Sequence, residues 1–409
     1  MDRSAPNAPE SDSFLPLSGL RVLALEQAVA GPFCSRQLAD MGADVIKVER
    51  PDGGDFARNY DGALNGLSAY FAWLNRGKRS ITLDLKQPRE LELCGRLIDR
   101  ADIFVHNLAP GAVERFGFGY DMLAERCPRL IWCGISGFGP DGPYCEKKAY
   151  DLLVQAEAGV MSLTGTPEAP AKVGISIADI AAGLYGYSSI LAALINRDRT
   201  GRGERIDISM LESLTEWVTP ALYVWQGTGQ APARAGTRHN MIVPYGVYSC
   251  ADGAVNLAIQ NDREWRRFCA DVLEMPAIAD DSRFLTNADR LRNRHELETL
   301  IEIKFRRLSR AELIHRLDRA DIANGAVNEI PEVASHAQLA ARNRWTKAAS
   351  PAGMISALIP PHNLAHAPSR IGAVPGLGEH TREILAELET ISAVSSRLIR
   401  EATKRRRES

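Results

Sequence analysis

The stretch from Gly174 to Gly183 places one carboxylate, Asp179, among small and apolar residues. An apolar-periodic helix is predicted from Ile180 to Asn196, so Asp179 lies near the positive end of a helix dipole. Because glycine and alanine surround it, a bulky substrate can approach this carboxylate, which suits a nucleophile that forms a covalent acyl intermediate. Aspartate is also a favoured N-cap residue, and on this stretch alone capping is its commoner role.

The segment that must position Asp179, from Gly19 to Asp151, alternates between strand and helix patterns. Buried strands are predicted at residues 20–25, 44–49, 80–84, 103–106 and 130–135. Helices are predicted between them, at residues 33–41, 88–100 and 120–126. This alternation indicates an α/β fold with a parallel sheet and helices on both of its faces. Ligands of such sheets bind beyond the carboxyl ends of the strands. Polar or glycine-rich loops fall there, at residues 28–32, 50–55, 107–111 and 136–148.

Three common motifs of nucleotide-binding proteins and hydrolases are missing from the sequence. No G-x-G-x-x-G follows the first strand, which argues against a nicotinamide or flavin Rossmann site. The P-loop pattern and the G-x-S-x-G elbow of α/β-hydrolases are absent as well.

Composition narrows the class of protein further. A chain of 409 residues, 45% hydrophobic and 24% charged, predicts two globular domains. The net charge of −2 argues against a nucleic-acid partner, and without a run of 18 apolar residues no membrane span is predicted. Seven cysteines without a C-x-x-C pair, and eight histidines without an H-E-x-x-H pattern, predict neither a disulfide framework nor a metal site. We therefore expect a reducing, cytoplasmic setting.

Composition shifts along the chain predict its domain boundaries. A disordered lead-in at residues 1–16 precedes a large domain at 17–226, a linker at 227–245 and a smaller α+β domain at 246–330. A return segment at 331–390 is predicted to complete the large domain, before a charged tail at 391–409. The smaller domain opens on a predicted hairpin, residues 246–250 and 254–259, followed by helices at 262–273, 290–305 and 309–321.

Seven motifs in a fixed order resemble the class III CoA-transferases, the CaiB–BaiF family that includes formyl-CoA transferase. They are GADVIKVERP at 42–51, NRGKRSITLD at 75–84, PGAVERFG at 110–117, GFGPDGP at 137–143, the Asp179 stretch, TGRG at 200–203 and LGEHT at 377–381. Each motif is weak alone, and their common order carries the resemblance, which spans about Leu17 to Leu388.

The resemblance implies a Rossmann-like large domain, an interlocked homodimer and a covalent mechanism. In this family an aspartate attacks the donor acyl-CoA to give a mixed anhydride and then an aspartyl-CoA thioester, and the acceptor acid repeats the exchange in reverse. Asp179 matches that aspartate. The substrates are coenzyme A thioesters and small carboxylic acids, and no permanently bound cofactor is implied.

The resemblance also assigns residues that contact coenzyme A. Arg50, Arg115 and Lys148 match basic positions of the family within its motifs, and Arg79 and Lys86 match less closely. Tyr150, Val29 and Ala30 complete this set. Any single cation among them also fits the description of an ordinary surface charge.

One departure from a neighbouring branch of the family bears on the reaction. The α-methylacyl-CoA racemases resemble this chain but carry a histidine before an aspartate, where this chain has Tyr150 and Asp151. Tyrosine has an unperturbed pKa of about 10 and is therefore a poor base at neutral pH. This difference favours CoA transfer over racemisation. A racemase with an unusual partner for Asp179, and a CoA-ester binding protein without turnover, remain the alternatives.

The segment from Gly236 to Gly246 resembles family members that act on C4 to C6 dicarboxylates with succinyl-CoA as donor. Itaconate, mesaconate, malate and similar acids are therefore the expected acceptors. Arg238 can supply a bidentate pair to the second carboxylate, with assistance from His239. Both residues equally fit an exposed linker without a role in binding.

Overall fold

Apolar runs in the first half of the chain form a six-stranded sheet in which every pairing is parallel. The structure is a computed structural model and describes residues 15–368 and 371–390. Most of the predicted lead-in and the whole tail at 391–409 lie outside the described residues.

The strands are, in chain order, β1 (Arg21–Leu25), β2 (Asp44–Glu49), β3 (Lys78–Thr82), β4 (Ile103–His106), β5 (Ile131–Ser136), β6 (Arg205–Ser209), β7 (Tyr245–Cys250), β8 (Gly253–Ala258), β9 (Ala323–Ala326), β10 (Trp345–Ser350), β11 (Gly353–Leu358), β12 (Asn363–Leu364) and β13 (Ala367–Pro368). The helices are α1 (Ala30–Asp40), α2 (Ala69–Asn75), α3 (Pro88–Ile98), α4 (Ala112–Arg115), α5 (Tyr120–Arg126), α6 (Asp151–Glu157), α7 (Val160–Leu163), α8 (Ile177–Thr200), α9 (Met210–Thr228), α10 (Asp262–Arg267), α11 (Asn287–Arg292), α12 (Arg294–Phe305), α13 (Arg310–Arg319), α14 (Ile330–Ala334) and α15 (Ala337–Ala341). Residues 381–390 are also helical.

The strand order of the large sheet is β3-β2-β1-β4-β5-β6, which confirms the predicted α/β fold with a parallel sheet. The order reverses between β1 and β4, whose last residues, Leu25 and His106, pair with each other. Such a reversal opens a crevice beyond the carboxyl ends of the two strands, where ligands of these sheets bind. β3 begins two residues before the predicted strand, because Lys78 turns inward and is buried rather than solvated.

The described residues form two compact units. Unit 1 comprises the described residues up to 158, residues 175–217 and those from 339 onward, and unit 2 comprises residues 159–174 and 218–338. Residues 159–174 were predicted to lie in the large domain, yet they belong to unit 2. Gly236 N–H donates to Gly165 O (2.8 Å) and Arg234 donates to Thr166 O (2.8 Å), so this segment is bonded to the chain that follows α9.

In unit 1 the helices α1 and α8 pack closely against each other. A Cβ at Gly183 of α8 would lie 2.7 Å from the carbonyl oxygen of Ala30, so glycine is what permits this approach. α8 is longer than predicted. It ends at Thr200 and is capped by Gly201, whose φ of 74° is the left-handed conformation common at helix ends. By length and composition α8 resembles a membrane span, but it packs on α1, β5 and β6 as a core helix of unit 1.

Unit 2 contains an antiparallel sheet of β7, β8 and β9, packed with helices α10, α12 and α13 around an apolar core. The predicted hairpin is confirmed, with Tyr245 paired to Ala258 and Cys250 paired to Gly253. The helix predicted at 290–305 is instead divided into α11 and α12. Asn293 separates the two, and its side chain donates to the carbonyl oxygens of Arg283 (2.9 Å) and Asp289 (3.1 Å).

Candidate active site

Asp179 lies in the first turn of α8, but a different carboxylate caps that helix. Oδ1 of Asp151 accepts hydrogen bonds from the N–H groups of Ala178 (2.8 Å) and Asp179 (3.4 Å). The side chain of the N-cap residue, Ser176, makes no capping bond. Because Asp151 fills the capping role, the Asp179 carboxylate is available for chemistry.

The surroundings of Asp179 favour its uncharged form. Burial raises the pKa of Asp179 to about 7, and the negative charge of Asp151 acts in the same direction. The backbone N–H of Ala30 interacts with the carboxylate and opposes this rise in pKa. No cation is among the groups that shift this pKa. Near neutral pH the group is therefore divided between a carboxylate with little stabilisation and its protonated form.

Ala30 is the first residue of α1, so its N–H is one of the donors that a helix leaves unpaired at its start. The carboxylate of Asp179 thus meets the N-terminal ends of two helices, α1 and α8. Both present the positive ends of their dipoles to this position, where negative charge would develop in an acyl transfer.

The loop between β1 and α1 is fixed from two sides. Asn107, which follows β4, accepts a hydrogen bond from Gln27 N–H (2.9 Å) and donates one to Gln27 O (2.8 Å). Asp55 accepts from Ala28 N–H (3.0 Å), and Ala28 has a φ of 63°, which is uncommon for alanine. These bonds hold the loop across the crevice of the sheet and fix the direction of the Ala30 N–H.

Four charged side chains are buried beneath this loop and neutralise one another. Lys47 Nζ lies 2.8 Å from Asp55 Oδ2, and Lys78 Nζ lies 2.6 Å from Glu26 Oε1. All four side chains are fully shielded from solvent. Sequence analysis missed this network, although a lysine at the centre of the apolar strand β2 was a signal for it.

A partly exposed aromatic residue, Tyr60, interacts electrostatically with Asp179. The pKa of Tyr60 is raised to about 12 by burial and then by the charges of Asp55 and Asp179, with Tyr150 also contributing. The ring of Tyr60 stands 5.7 Å from that of Tyr70 and remains 47% exposed. Tyr60 is therefore close enough to Asp179 to interact with it electrostatically, and sequence analysis did not identify this residue.

A cavity of about 310 Å³ lies beyond the carboxyl ends of β1, β2 and β3. Its lining is apolar at Leu25, Val48, Leu83, Leu108 and Phe116, and it includes Arg50 and Lys86. Glu49, which also lines it, is already paired with Arg58 at 2.7 Å. Three further carboxylates line it, of which Asp55 and Glu26 are neutralised by Lys47 and Lys78, whereas Asp84 has no ion pair among the described residues. The cavity thus offers an apolar surface for a planar or apolar group, with Arg50 and Lys86 as the cations that can meet anionic groups.

The other predicted CoA residues differ in their settings. Arg115 is exposed at the end of α4, between cavity-lining Ala112 and Phe116. Val29 is buried as the N-cap of α1. Lys148 is exposed on the loop before α6 and does not line the cavity, and Tyr150 is the N-cap residue of α6.

Arg79, also predicted to contact coenzyme A, is engaged elsewhere in unit 1. Its guanidinium donates to Asp44 (2.8 and 2.7 Å), to Glu387 (2.6 Å) and to Glu383 (2.9 Å). It joins β3 to β2 and to the helical residues 381–390, and it does not line the cavity.

Arg238 and His239 lie in unit 2, where each already has partners. The Arg238 guanidinium donates to Glu298 and Glu302 and lies over the ring of Tyr248. His239 stacks on Tyr245, and its Nδ1 accepts from Met241 N–H (3.0 Å). Burial, with the charge of Arg294, lowers the pKa of His239. Both side chains thus organise the segment from 236 to 246.

Comparisons with known proteins place this geometry in context. A family model described as CoA-transferase family III matches residues 17–381. A succinate–glutarate CoA-transferase of Agrobacterium fabrum is 38% identical, over 93% of this chain and 98% of its own length. A succinyl-CoA:mesaconate CoA-transferase of Haloarcula hispanica is 35% identical, over 91% of this chain and 96% of its own. The solved structure of a CaiB/BaiF family protein from Brucella suis matches with a TM-score of 0.80 and 36% identity, covering 91% of this chain and 99% of that one.

Proposed function

This chain belongs to CoA-transferase family III, and from that premise we propose that it moves coenzyme A from succinyl-CoA to a small dicarboxylic acid through covalent catalysis at Asp179. The observation that carries the proposal is the state of Asp179. Its pKa is raised to about 7, the groups of the described residues that shift it include no cation, and the backbone N–H of Ala30, the first residue of α1, is the group that opposes the rise. The relatives named for succinate–glutarate and succinyl-CoA:mesaconate transfer support the substrate class.

The reaction takes four balanced steps. The Asp179 carboxylate attacks the thioester carbonyl of succinyl-CoA, which breaks the C–S bond and leaves a mixed anhydride and the thiolate of coenzyme A. The thiolate attacks the aspartyl carbonyl, releases succinate and forms an aspartyl-CoA thioester. The acceptor carboxylate displaces the thiolate to form a second anhydride. Attack of the thiolate on the acceptor carbonyl then gives the new acyl-CoA and restores Asp179.

The environment of Asp179 favours these steps for electrostatic reasons. A carboxylate that is poorly stabilised is more basic and a better nucleophile, and its charge disappears in each covalent intermediate. The Ala30 N–H, at the positive end of α1, can donate to the oxygen that becomes negative when the aspartyl carbonyl is attacked.

Coenzyme A is proposed to occupy the cavity beside the crevice. The adenine would lie on the apolar lining at Leu83 and Phe116, and the phosphates would meet Arg50, Lys86 and Arg115. The pantetheine arm would then run past Val29 and Ala30 towards Asp179. Lys148 and Tyr150 precede α6 and would act at this end of the ligand.

The acceptor, its binding residues and the assembly complete the proposal. Glutarate, mesaconate, itaconate and malate carry a second carboxylate, for which Arg238 and His239 are the candidates. Arg238 would have to exchange Glu298 or Glu302 for the substrate. We also propose a cytoplasmic enzyme that works as an interlocked homodimer.

The test compares the wild-type enzyme with Asp179→Asn. Succinyl-CoA is supplied with a panel of dicarboxylic acids, and new acyl-CoA is measured by mass spectrometry. Asp179→Asn is expected to lose about a thousandfold or more in kcat, because a neutral amide is a poor nucleophile. Intact-protein mass spectrometry should detect a covalent coenzyme A adduct on the wild type only. Asp207→Asn, which changes an aspartate of β6, is the matched control.

Transfer that survives in Asp179→Asn would refute the assignment of the nucleophile, and absence of transfer to every acid would refute the dicarboxylate class. Incubation of a chiral 2-methylacyl-CoA in deuterated water separates the racemase alternative. We expect no α-proton exchange, because Tyr150 stands where racemases carry histidine.

A further inference from the structure

Asp151 uses one carboxylate oxygen to cap the start of α8 and the other to accept a hydrogen bond from within its own helix, α6. Oδ1 accepts from Ala178 N–H at 2.8 Å, and Oδ2 accepts from Gln155 Nε2 at 2.7 Å. Gln155 also donates to Ile175 O (3.3 Å), the carbonyl just before α8. Asp151 and Gln155, one turn apart on α6, therefore clamp the first turn of the helix that carries Asp179.

Among the described residues, the side chain whose charge raises the pKa of Asp179 is Asp151. Tyr60 directly follows the 3₁₀ helix Phe56–Asn59, and its pKa of about 12 keeps it protonated near neutral pH. From α6 come Tyr150 and Asp151. Cys34 lies on α1, which packs along α8, and it is next to Gly186. The neighbouring thiol of Cys133 and burial raise the pKa of Cys34, so it is uncharged. Also on α1, Arg36 is paired with Asp40 at 2.6 Å.

We propose that Asp151 is a positioning residue for transfer at Asp179: it caps α8 in place of Asp179 and, through its charge, destabilises the free Asp179 carboxylate relative to its acylated forms. This inference rests on the proposed function for its reaction and on the hydrogen bonds of Asp151 for its geometry.

The physical effect follows from the charges before and after acylation. In the free enzyme the Asp151 carboxylate is bonded to the backbone N–H groups of Ala178 and Asp179, and its negative charge raises the pKa of the Asp179 carboxyl group. In the anhydride and the thioester Asp179 is neutral, so the repulsion is absent. Asp151 therefore favours formation of both intermediates, while its hydrogen bonds keep the Asp179 backbone in register.

The variant Asp151→Asn separates the two parts of this role. Its side-chain oxygen can still accept from Ala178 N–H, but the negative charge is gone. The protein is produced with aspartate that carries ¹³C at the side-chain carboxyl carbon. The Asp179 resonance is the one that is absent from the spectrum of Asp179→Asn, and it is then titrated in the wild type and in Asp151→Asn. The midpoint is expected near pH 7 in the wild type, and lower by on the order of one pH unit in Asp151→Asn.

The pH profile of transfer gives a second readout. Transfer rises with pH as Asp179 ionises, so the acid limb of kcat/KM should move to lower pH in Asp151→Asn, with a lower kcat on the plateau. Asp252→Asn is the matched control, because Asp252 accepts from Arg310 N–H at the start of α13 in unit 2. Asp151→Ser, which keeps an acceptor without a charge, replaces Asp151→Asn if the latter does not fold.

An unchanged ¹³C midpoint in a folded Asp151→Asn protein would overturn the inference, whatever the transfer assay gives. A second outcome is a lower ¹³C midpoint in Asp151→Asn together with a wild-type enzyme that transfers no coenzyme A. That outcome would refute the proposed function and leave the electrostatic role of Asp151 intact. The two failures are therefore distinguishable.

Discussion

Two aspartates hold the loop between β1 and α1 from opposite ends, and their pKa values move in opposite directions. Asp55 accepts a hydrogen bond from Ala28 N–H, and Asp179 interacts with the backbone N–H of Ala30, two residues further on. Burial acts to raise both pKa values. At Asp55 the charge of Lys47, together with two backbone N–H groups, outweighs burial and lowers the pKa. At Asp179 the nearest charge is another carboxylate, and the pKa rises to about 7.

The difference shows that the charged partner, rather than burial or residue type, decides whether the pKa of a buried carboxyl group is lowered or raised. Asp55 is saturated by bonds to Lys47, Ala28 and Ala57, so nothing is left with which to attack a substrate. The carboxylate of Asp179 receives the single N–H of Ala30 as its stabilising group. The rigid, neutralised network around Asp55 holds the loop that serves the destabilised group.

The two aspartates contribute to stability with opposite signs. The folded-state pKa of Asp55 is lowered, so its contribution is present above its unfolded pKa and is lost as the pH falls through the folded value. The folded-state pKa of Asp179 is raised from 3.8 to about 7, so its ionisation costs stability as the pH rises across that interval.

The largest effect on stability is expected from Asp55→Ala, which removes the ion pair between Asp55 and Lys47. The change leaves Lys47 buried with one weakly placed carboxylate, Glu26 at 3.5 Å, and removes the acceptor of Ala28 N–H. We expect a loss of about 3–5 kcal/mol in the free energy of unfolding, measured in urea at pH 7.5. A loss below about 1 kcal/mol would mean that the network does not hold the loop.

A smaller effect of opposite sign is expected from Asp179→Asn. Above pH 7 the amide avoids the cost of a poorly stabilised charge, so the variant should be more stable than the wild type by about 2 kcal/mol. The advantage should disappear towards pH 4, where Asp179 is protonated in the folded state. Urea unfolding at pH 8 and pH 4 measures this. Equal stabilities at pH 8 would contradict the raised pKa.

The smallest effects concern cations, where the same contrast between paired and available groups recurs. Lys86 lines the cavity, whereas Arg79 is bonded to three carboxylates. Lys86→Ala is expected to raise KM for the CoA thioester about fivefold with kcat little changed, because an exposed cation contributes modestly to binding a phosphate. Arg79→Ala should leave KM unchanged and lower the melting temperature. Steady-state kinetics measures KM in both variants, with Lys347→Ala, a change outside the cavity, as the control, and thermal unfolding measures the melting temperature. An unchanged KM in Lys86→Ala would contradict the assignment of Lys86 to the CoA site.

Much of the fold was predictable because local patterns and tertiary packing agree there. β2, β4 and α5 begin and end where the sequence predicts, since each is a short apolar or amphipathic run bounded by polar residues. The prediction was wrong where a charged residue turns inward, as Lys78 does in β3. It was also wrong for residues 159–174, whose bonds to the chain after α9 are distant in sequence.

The family resemblance read from seven motifs is confirmed by the match over residues 17–381. Asp179 stays a prediction of the nucleophile, and the sequence could propose it because a carboxylate among small residues at a helix start is visible locally. It could not propose Tyr60, Asn107 and Asp151, because each acts through a contact with a residue far along the chain.

The sequence by itself determined the class of the protein, the parallel sheet and the candidate nucleophile, since periodicity and motif order are properties of neighbouring residues. Only the tertiary structure decided which charges are paired. Arg79 and Arg238, both candidate ligand cations by sequence, are bonded to carboxylates of their own unit. Asp179, by sequence a helix cap or a nucleophile, is freed from capping by Asp151. Pairing depends on distances across the fold, and the same side chain is inert or reactive according to the charge that folding brings beside it.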